Sequence, residues 1–221
     1  MKPMKILVTA GPTQEPIDPV RFISNHSTGA MGYAIAATAG ARKHKVVLVS
    51  GPTNMLLPKD IKVSHIVTAD EMFAVVKRHL KDADCVIMSA AVSDYKPKKY
   101  NKIKLKRTNN IDKIALTKNP DILSWVGKHK KKKLLVGFCM ETENLLQNAK
   151  GKLQKKSLDL IVANKIDKEK SAFGKGQTSV LLVESKQPPM HIKNSTKQKI
   201  AGILLDKIEQ LWYNKTSVKA V

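Results

Sequence analysis

The stretch Lys5–Ser50, "KILVTAGPTQEPIDPVRFISNHSTGAMGYAIAATAGARKHKVVLVS", decides the fold. "KILVTA" (5–10) is an apolar run of strand length. "GAMGYAIAATAGARKH" (29–44) is alanine-rich, opens on glycines and reads as a helix. "KVVLVS" (45–50) is a second strand. Strand, helix, strand is the unit of a parallel sheet. Between the first strand and the helix, "FISNHSTGAMG" (22–32) gathers hydroxyls, amides and glycines just ahead of a helix N-terminus, where backbone N–H groups and the helix dipole favour an anion. It reads as a phosphate-binding turn.

The rhythm continues along the chain. "KVSHIVT" (62–68) reads as a strand. "ADEMFAVVKRHLKD" (69–82) places Met72, Val75, Val76 and Leu80 at helical spacing. "ADCVIMSAAV" (83–92) is a continuous apolar strand, as expected with both sheet faces covered. "NPDILSWVGKH" (119–129) predicts a helix with Asn119 as its cap and Pro120 at its first position. "KKLLVGFC" and "LDLIVAN" (158–164) read as strands around a helix over 143–156. "TSVLLVES" and "MHIKN" read as a β-hairpin, and 195–214 as a capped amphipathic helix. The expected fold is α/β: a Rossmann-like, doubly wound, mostly parallel sheet with helices on both faces, a late β-hairpin, and one domain over 1–221. One segment breaks the alternation. Residues 94–113 carry Lys96, Lys98, Lys99, Lys102, Lys104, Lys106 and Arg107 with few apolar anchors. They read as a basic flap over a site at the strand ends, kept mobile by its own repulsion until an anionic ligand orders it.

Composition bounds the function. The 221 residues are 42% hydrophobic, enough for a sizeable core. No run is long enough to span a membrane, no secretory leader is legible, and two cysteines in apolar runs point to a reducing cytoplasm. The formal charge of +22 has two readings, a nucleic-acid footprint or a basic solvent face. The lysines are spread along the chain, with one dense run over 128–133 and no interleaved aromatics for base stacking, so nucleic acid is not the expected partner. A basic pocket would in addition attract polyanionic small substrates.

Ligands of open α/β sheets bind beyond the carboxyl ends of the strands. "TAGPT", "SAAVSDY", "GFCMET" and "ANKI" stand at such ends. The loop after the first strand is not G-x-G-x-x-G, no acid ends the second strand, and no P-loop, H-E-x-x-H, C-x-x-C or G-x-S-x-G occurs. Hydride transfer is disfavoured. The scattered histidines support no zinc site.

"AGPTQEPIDPVRFISNHSTGAMGYAIA" resembles the opening signature of the phosphopantothenoylcysteine synthetase family, the phosphopantothenate–cysteine ligases of coenzyme A biosynthesis. "SAAVSDYKP", "KIK", "KNPDIL", "VGFCMET" and the lysine pair before "LDLIVAN" follow in that family's order. The resemblance implies a CTP-dependent ligase: the carboxylate of 4′-phosphopantothenate attacks the α-phosphate of CTP, with Mg²⁺, and cysteine then displaces CMP from the acyl-cytidylate. By the same resemblance Asn25 holds the acyl-phosphate and pantothenate parts, and Lys102 is the flap lysine of the second step. Gly11, Ser27, Gly29, Ser89, Ala90, Asp94, Asn119, Pro120, Phe138, Lys152 and Lys156 fall with the nucleotide. Ala91 lies with the pantothenate part, and Arg21 serves a partner protomer's substrate in a homodimer. No protein metal ligand is assigned, no flavin is expected in this chain, and a phosphopantothenoylcysteine decarboxylase is the implied functional partner. The chain is either a stand-alone enzyme or half of a fused one, and CTP against ATP stays open. The chain departs from the family at Cys139 and Met140, where two alanines are common, at Leu105, which replaces a lysine, and at "FGKGQT" (173–178), which lacks an acid and an amide. The alternative reading is a non-catalytic basic nucleotide- or nucleic-acid-binding module.

Overall fold

The computed structural model describes residues 2–106, 113–165 and 176–217. Arg107 and the rest of 107–112, and residues 173–175 of "FGKGQT", lie outside the described residues. In chain order the elements are β1 (Lys5–Ala10), β2 (Gln14–Pro16), β3 (Phe22–Ser24), α1 (Ala30–Ala41), β4 (Lys45–Ser50), β5 (Lys62–His65), α2 (Ala69–Leu80), β6 (Cys85–Met88), β7 (Tyr95–Pro97), β8 (Leu116–Lys118), α3 (Ile122–His129), β9 (Leu134–Glu141), α4 (Leu145–Lys155), β10 (Leu160–Lys165), β11 (Thr178–Val183), β12 (Met190–Ser195) and α5 (Lys197–Ser217).

Eight strands form the main sheet in the order β12-β11-β10-β9-β6-β1-β4-β5. From β10 to β5 every pairing is parallel, and β11 and β12 close one edge antiparallel. The chain winds outward from β1 through β4 to β5, then returns to β6 on the other side of β1 and winds the opposite way. That reversal, between β1 and β6, is the topological switch point where such sheets bind ligands. The expected fold and late hairpin are therefore present.

Alternation along β1 divides the core. Ile6, Val8 and Ala10 face α1 and α5, packing with Ile35, Ala39, Ile200, Leu204 and Ile208. Leu7 faces α2, α3 and α4, packing with Met72, Val76, Val126 and Leu153. Each fully buried aliphatic side chain contributes about 1.5–3 kcal/mol of transfer free energy. α2 forms where it does because Thr68 and Glu71 make a capping box, and its buried Ala69, Met72, Val76 and Leu80 recur at three- and four-residue steps. α1 and α5 are tied by the Arg42 guanidinium, which reaches Asp206 and Glu209, and by His44. His44 Nδ1 accepts the Met4 N–H at 3.1 Å while Nε2 meets Glu209 at 2.9 Å.

Two expectations are corrected. The cap of α3 is Asp121, whose Oδ1 accepts the Ser124 N–H at 2.9 Å, so Asn119 and Pro120 precede the helix. Asn119 is occupied elsewhere, its backbone N–H on Asp94 O and its side chain on Ser93 O. The strand read over 83–92 ends at Met88, and residues 89–91 leave the sheet to run beside Gly11–Thr13, with Ala91 N–H on Gly11 O. The described part of the basic segment makes backbone bonds to the rest of the fold. β7 and β8 pair at its base, Asn101 N–H donates to Ile17 O at 3.0 Å, and Leu105 N–H donates to Asp18. Backbone donors supply the anchors that the side-chain pattern lacks.

Gly51 marks the tightest crossing above the sheet. A Cβ there would lie 1.8 Å from Pro12 O, which is backbone and cannot swing aside. Gly151, exposed on α4, has nothing within 4 Å of its Cβ position. Gly51→Ala should cost roughly 3 kcal/mol, lowering the melting temperature by about 10 °C. Gly151→Ala should stabilise by about 0.5–1 kcal/mol. Thermal melts of both variants check the pair; equal shifts would mean that the Gly51 crossing relaxes freely.

Candidate functional site

Two adjoining cavities open above the switch point. The first, about 420 Å³, is lined by Met88, Ser93, Tyr95, Asn119, Pro120, Asp121, Ile122 and Lys156 among others. The second, about 400 Å³, is lined by Asn25, Ser27, Gly29, Gly32, Ser89, Ala91, Cys139, Met140, Asn164 and Lys197 among others. Ala90, Val92, Asp94, Phe138 and Lys152 belong to both, so the cavities share a wall.

The second cavity is floored by the turn that opens α1. Gly29 caps the helix at φ 75°, a left-handed conformation that glycine adopts without strain. Gly29 has no side chain to cap α1; the Ala30 N–H meets Thr28 Oγ1 at 3.4 Å and the Gly29 N–H meets Ser27 Oγ at 3.3 Å. Gly32 lets this turn approach the strand ends: a Cβ there would sit 2.5 Å from Ala10 Cβ and 2.7 Å from Ser89 Oγ. Asn25 lies on the far side. Its Nδ2 donates to Val92 O at 3.1 Å and, more weakly, to Ala91 O at 3.4 Å. Lys197, the first residue of α5, closes the wall, and burial lowers its ammonium pKa. Cys139 is a buried free thiol whose pKa burial raises, and Cys85 is likewise buried and free.

The shared wall carries the charge. Lys152 Nζ donates to Phe138 O at 3.0 Å, which holds its ammonium at the junction. Lys156 lines the first cavity, but its ammonium is bound by Asp121 and by Ser124 Oγ at 2.6 Å. Burial pushes the Asp121 carboxyl up, and the bonds from Lys156 and Ser124 outweigh it, so its pKa lies below the ordinary value. Asp94 is the one carboxylate common to both linings.

The residues expected at the site divide. Ala90, Asp94, Asn119, Pro120, Phe138, Lys152 and Lys156 line the first cavity, and of these Ala90, Asp94, Phe138 and Lys152 lie on the shared wall. Asn25, Ser27, Gly29, Ser89 and Ala91 line the second cavity only, so Ser27, Gly29 and Ser89 stand apart from the other residues that the resemblance grouped with the nucleotide. Gly11, Arg21 and Lys102 line neither. Gly11 is buried where its backbone passes Gly51 and Thr53. Lys102 is exposed on the flap. Arg21 pairs with Asp18 and donates to Leu105 O at 2.8 Å. Sequence reasoning missed Ser93, Asn164 and Lys197. Ser93 carried a signal, a hydroxyl at the end of an apolar run, whereas Lys197 looked like one more helical lysine.

Among the described residues no group of three or more His, Cys, Asp or Glu is placed to hold a metal ion. No helix among them is long and apolar enough to cross a membrane. The dense lysine run is partly spent inside the fold: Lys130 pairs with Asp159, and Lys133 Nζ donates to Lys81 O.

Comparison with known proteins gives a consistent picture. The family model described as DNA/pantothenate metabolism flavoprotein C-terminal domain matches residues 1–211. The coenzyme A biosynthesis bifunctional protein CoaBC of Vibrio parahaemolyticus is 42% identical over 180 residues, 80% of this chain and 45% of that protein. The chain thus spans about half the length of the curated relatives it matches. The crystal structure of the C-terminal domain of a CoaBC protein superposes with a TM-score of 0.83 at 35% identity, covering 97% of this chain and 98% of that one. The DNA/pantothenate metabolism flavoprotein from Streptococcus pneumoniae gives 0.81 at 31%, covering 94% and 99%.

Asp18 beneath the flap yields a pH prediction. The Arg21 guanidinium, helped by backbone N–H groups of Leu105, Val20 and Arg21, holds its carboxyl far below the ordinary range. A carboxyl depressed on folding stabilises fully above its unfolded value of about 3.9 and loses that contribution as pH falls toward the folded value. Asp18→Asn should melt lower than the parent at pH 7, and the gap should narrow below about pH 4. Melting curves across that range check it; a gap independent of pH would remove the ionic role.

Proposed function

We propose that this chain, which belongs to the DNA/pantothenate metabolism flavoprotein C-terminal domain family, is a ligase. It joins 4′-phosphopantothenate to L-cysteine and draws on CTP to do so. The observation that carries the reading is the pair of cavities with one wall in common. Two large reactants can lie side by side and meet at Asp94, Phe138 and Lys152. The coenzyme A biosynthesis names of the relatives support the same substrates.

In the first step a carboxylate oxygen of phosphopantothenate attacks the α-phosphorus of CTP, and the bond to pyrophosphate breaks. In the second the cysteine amine attacks the acyl carbon, the carbon–oxygen bond to cytidylate breaks, and the amine proton is lost with CMP as leaving group. Such chemistry asks for positioning and charge neutralisation rather than a protein nucleophile. The nucleotide takes the first cavity, its base near Asn119, Pro120 and Phe138, its ribose near Asp94, and its phosphates toward Lys152 and Lys156. Phosphopantothenate takes the second, between Asn25, Ala91 and the Ser27–Gly29 turn. Asn25 spends one N–H on Val92 O; the second, held only weakly by Ala91 O, turns to the acyl oxygen as charge develops there. Mg²⁺ travels with the triphosphate, where it offsets phosphate charge. It would be held there mainly by phosphate and water oxygens, as Mg²⁺ with nucleotides usually is, with no protein ligand assigned. Lys102 acts when its part of the basic segment moves inward over the bound nucleotide.

Residues 1–221 form a single ligase domain in this reading, with no flavin of its own. A phosphopantothenoylcysteine decarboxylase consumes its product in the cytoplasm. The active form is a homodimer. Val20, Phe22, Leu56 and Leu57, close in sequence to Arg21 or to the Gly51 crossing, are exposed apolar side chains, Leu56 at 91%. An active monomer at assay concentration in sedimentation would overturn that.

Pyrophosphate release should require CTP and phosphopantothenate together, without cysteine. Its absence with either CTP or ATP would overturn the ligase reading. Lys102→Gln should form the acyl-cytidylate and pass it poorly to cysteine, so trapping experiments should find it accumulated. Asn25→Asp places a negative charge beside the phosphate and should lower amide formation by about 10²-fold or more while nucleotide still binds. Normal turnover by either variant would remove that residue's role.

A further inference from the structure

The pole of the sheet opposite the cavities carries a patch that the ligase reading does not use. α2 and α3 both end there. Lys81 caps α2, Lys130 caps α3, and Lys133 Nζ donates to Lys81 O at 3.1 Å, so the two C-termini adjoin. β6 starts beside them at Cys85 and reaches the first cavity only at Met88. Residues 77–84 and 128–133 hold eight lysines and arginines against two acids, Asp82 and Asp84. Asp84 accepts the Lys5 N–H at 2.8 Å, and Lys130 and Lys133 are spent on the fold. Arg78, Lys81, Lys128, Lys131 and Lys132 are exposed, and among the described residues the side chain of none is in an ion pair or hydrogen bond. One or two cations at a helix C-terminus offset its dipole; five in one patch repel one another and draw an anion. Lys131 stands at φ 52°, a left-handed conformation that costs a lysine more than a glycine or asparagine. Burial lowers the pKa of His79 in the same patch, and Lys62 and Arg78 lower it further, so these cations act as one field.

The patch also holds a stacking platform. In sequence the lysine run has no interleaved Phe, Tyr or Trp; the fold supplies rings from the two helices. Phe73 meets the Trp125 indole edge-on at 5.2 Å and 80°, and the His129 imidazole lies over that indole at 4.2 Å and 17°. Trp125 O accepts from His129 Nδ1 at 2.8 Å, which fixes the imidazole in its plane. Trp125 covers one face of that ring, and His129 is exposed. The column therefore ends in a flat ring open to solvent, next in sequence to Lys128 and just before the Lys131–Lys132 turn. Lys77 Nζ flanks its other end, 4.3 Å from the centre of the Phe73 ring.

We propose that this pole binds single-stranded nucleic acid. Arg78, Lys81, Lys128, Lys131 and Lys132 take the phosphates, and one unpaired base stacks on the outer face of His129. Cations with an ordered, exposed ring among them are what sequence-tolerant strand binding uses. An acidic protein surface would engage the cations and leave the ring idle, so the ring decides between the two. The patch shares no residue with either cavity, and the proposal stands apart from the ligase reading.

Fluorescence anisotropy of labelled RNA and DNA strands of about twelve nucleotides, titrated with the full chain, tests this. Both strands should bind, and raising salt from about 50 mM to about 200 mM should weaken binding about fiftyfold if four phosphates are held. His129→Ala should weaken binding about tenfold with an unchanged salt slope, and His129→Tyr, which keeps a flat ring, should bind like the parent. Replacing Lys128, Lys131 and Lys132 together by glutamine should lower the salt slope by about 2. Tighter binding of one strand type names RNA or DNA as the natural ligand and supports the proposal either way. No binding of either strand at about 50 mM salt, parent-like binding by His129→Ala, or loss of binding by His129→Tyr as well would overturn it. Polyglutamate bound more tightly than either strand would overturn it in favour of an acidic protein partner.

Discussion

Everything above the strand ends is arranged around one buried carboxylate. Asp18 is 2% exposed, and a charge so placed is tolerated only when its lone pairs are met. Oδ1 accepts from the N–H groups of Val20 and Arg21, and Oδ2 from the Arg21 guanidinium and the Leu105 N–H. Those donors come from the β2–β3 turn and from the basic segment more than eighty residues later. Meeting the charge therefore fixes the position of both. Glu15 repeats the device on β2, just before that turn: it is 1% exposed, and its Oε1 accepts the Ala69 N–H at the start of α2. Between the two acids the hairpin is pinned to the flap on one side and to α2 on the other, where Lys96 of β7 also reaches Asp70.

Much of this was legible in residue order, and the divide is physical. β1, α1 and β4 declare themselves through local pattern, because an apolar run or an alanine-rich turn sequence needs no distant partner to become a strand or helix. The same holds for α2, whose cap lies within four residues of the bonds it makes. What could not be read were features decided by contacts between distant segments. Asn119 looked like a helix cap until its amide is seen engaged by Ser93, twenty-six residues away. Gly11, grouped with the nucleotide by resemblance, lines neither cavity, and a Cβ there would meet Thr53 and Gly51. That Ser27, Gly29 and Ser89 line the second cavity and not the first could not be read from the sequence either, since partition between adjoining cavities depends on where Phe138 and Lys152 stand.

The basic composition also takes on a more particular meaning. Several lysines act as internal fasteners rather than as a uniform cationic coat. Lys130 and Lys215 both reach Asp159, whose Oδ2 also accepts the Leu135 N–H at 2.8 Å. These bonds tie the approach to β9, the approach to β10 and the end of α5 together at the pole opposite the cavities. Lys152 and Lys156 lie at the ligand-facing pole, one on a carbonyl and one on a carboxylate. The cationic character of the cavities is thus carried by side chains already held in place, which lowers the ordering cost of meeting a polyanion.

The packing of α5 against α1 bears on how the molecule is made. Arg42 donates to Gly202 O across 160 residues, and His44 meets Glu209 across 165. One face of the sheet, covered in part by α1, therefore lacks the rest of its cover during synthesis until α5 has left the ribosome. The first strands and α1 can collapse, but Ile6, Val8 and Ile35 find their final partners in Ile200, Leu204 and Ile208 only at the end. Contacts of such sequence separation slow folding and leave apolar surface open to association in the meantime. A chain lacking α5 should depend on chaperone binding along that face.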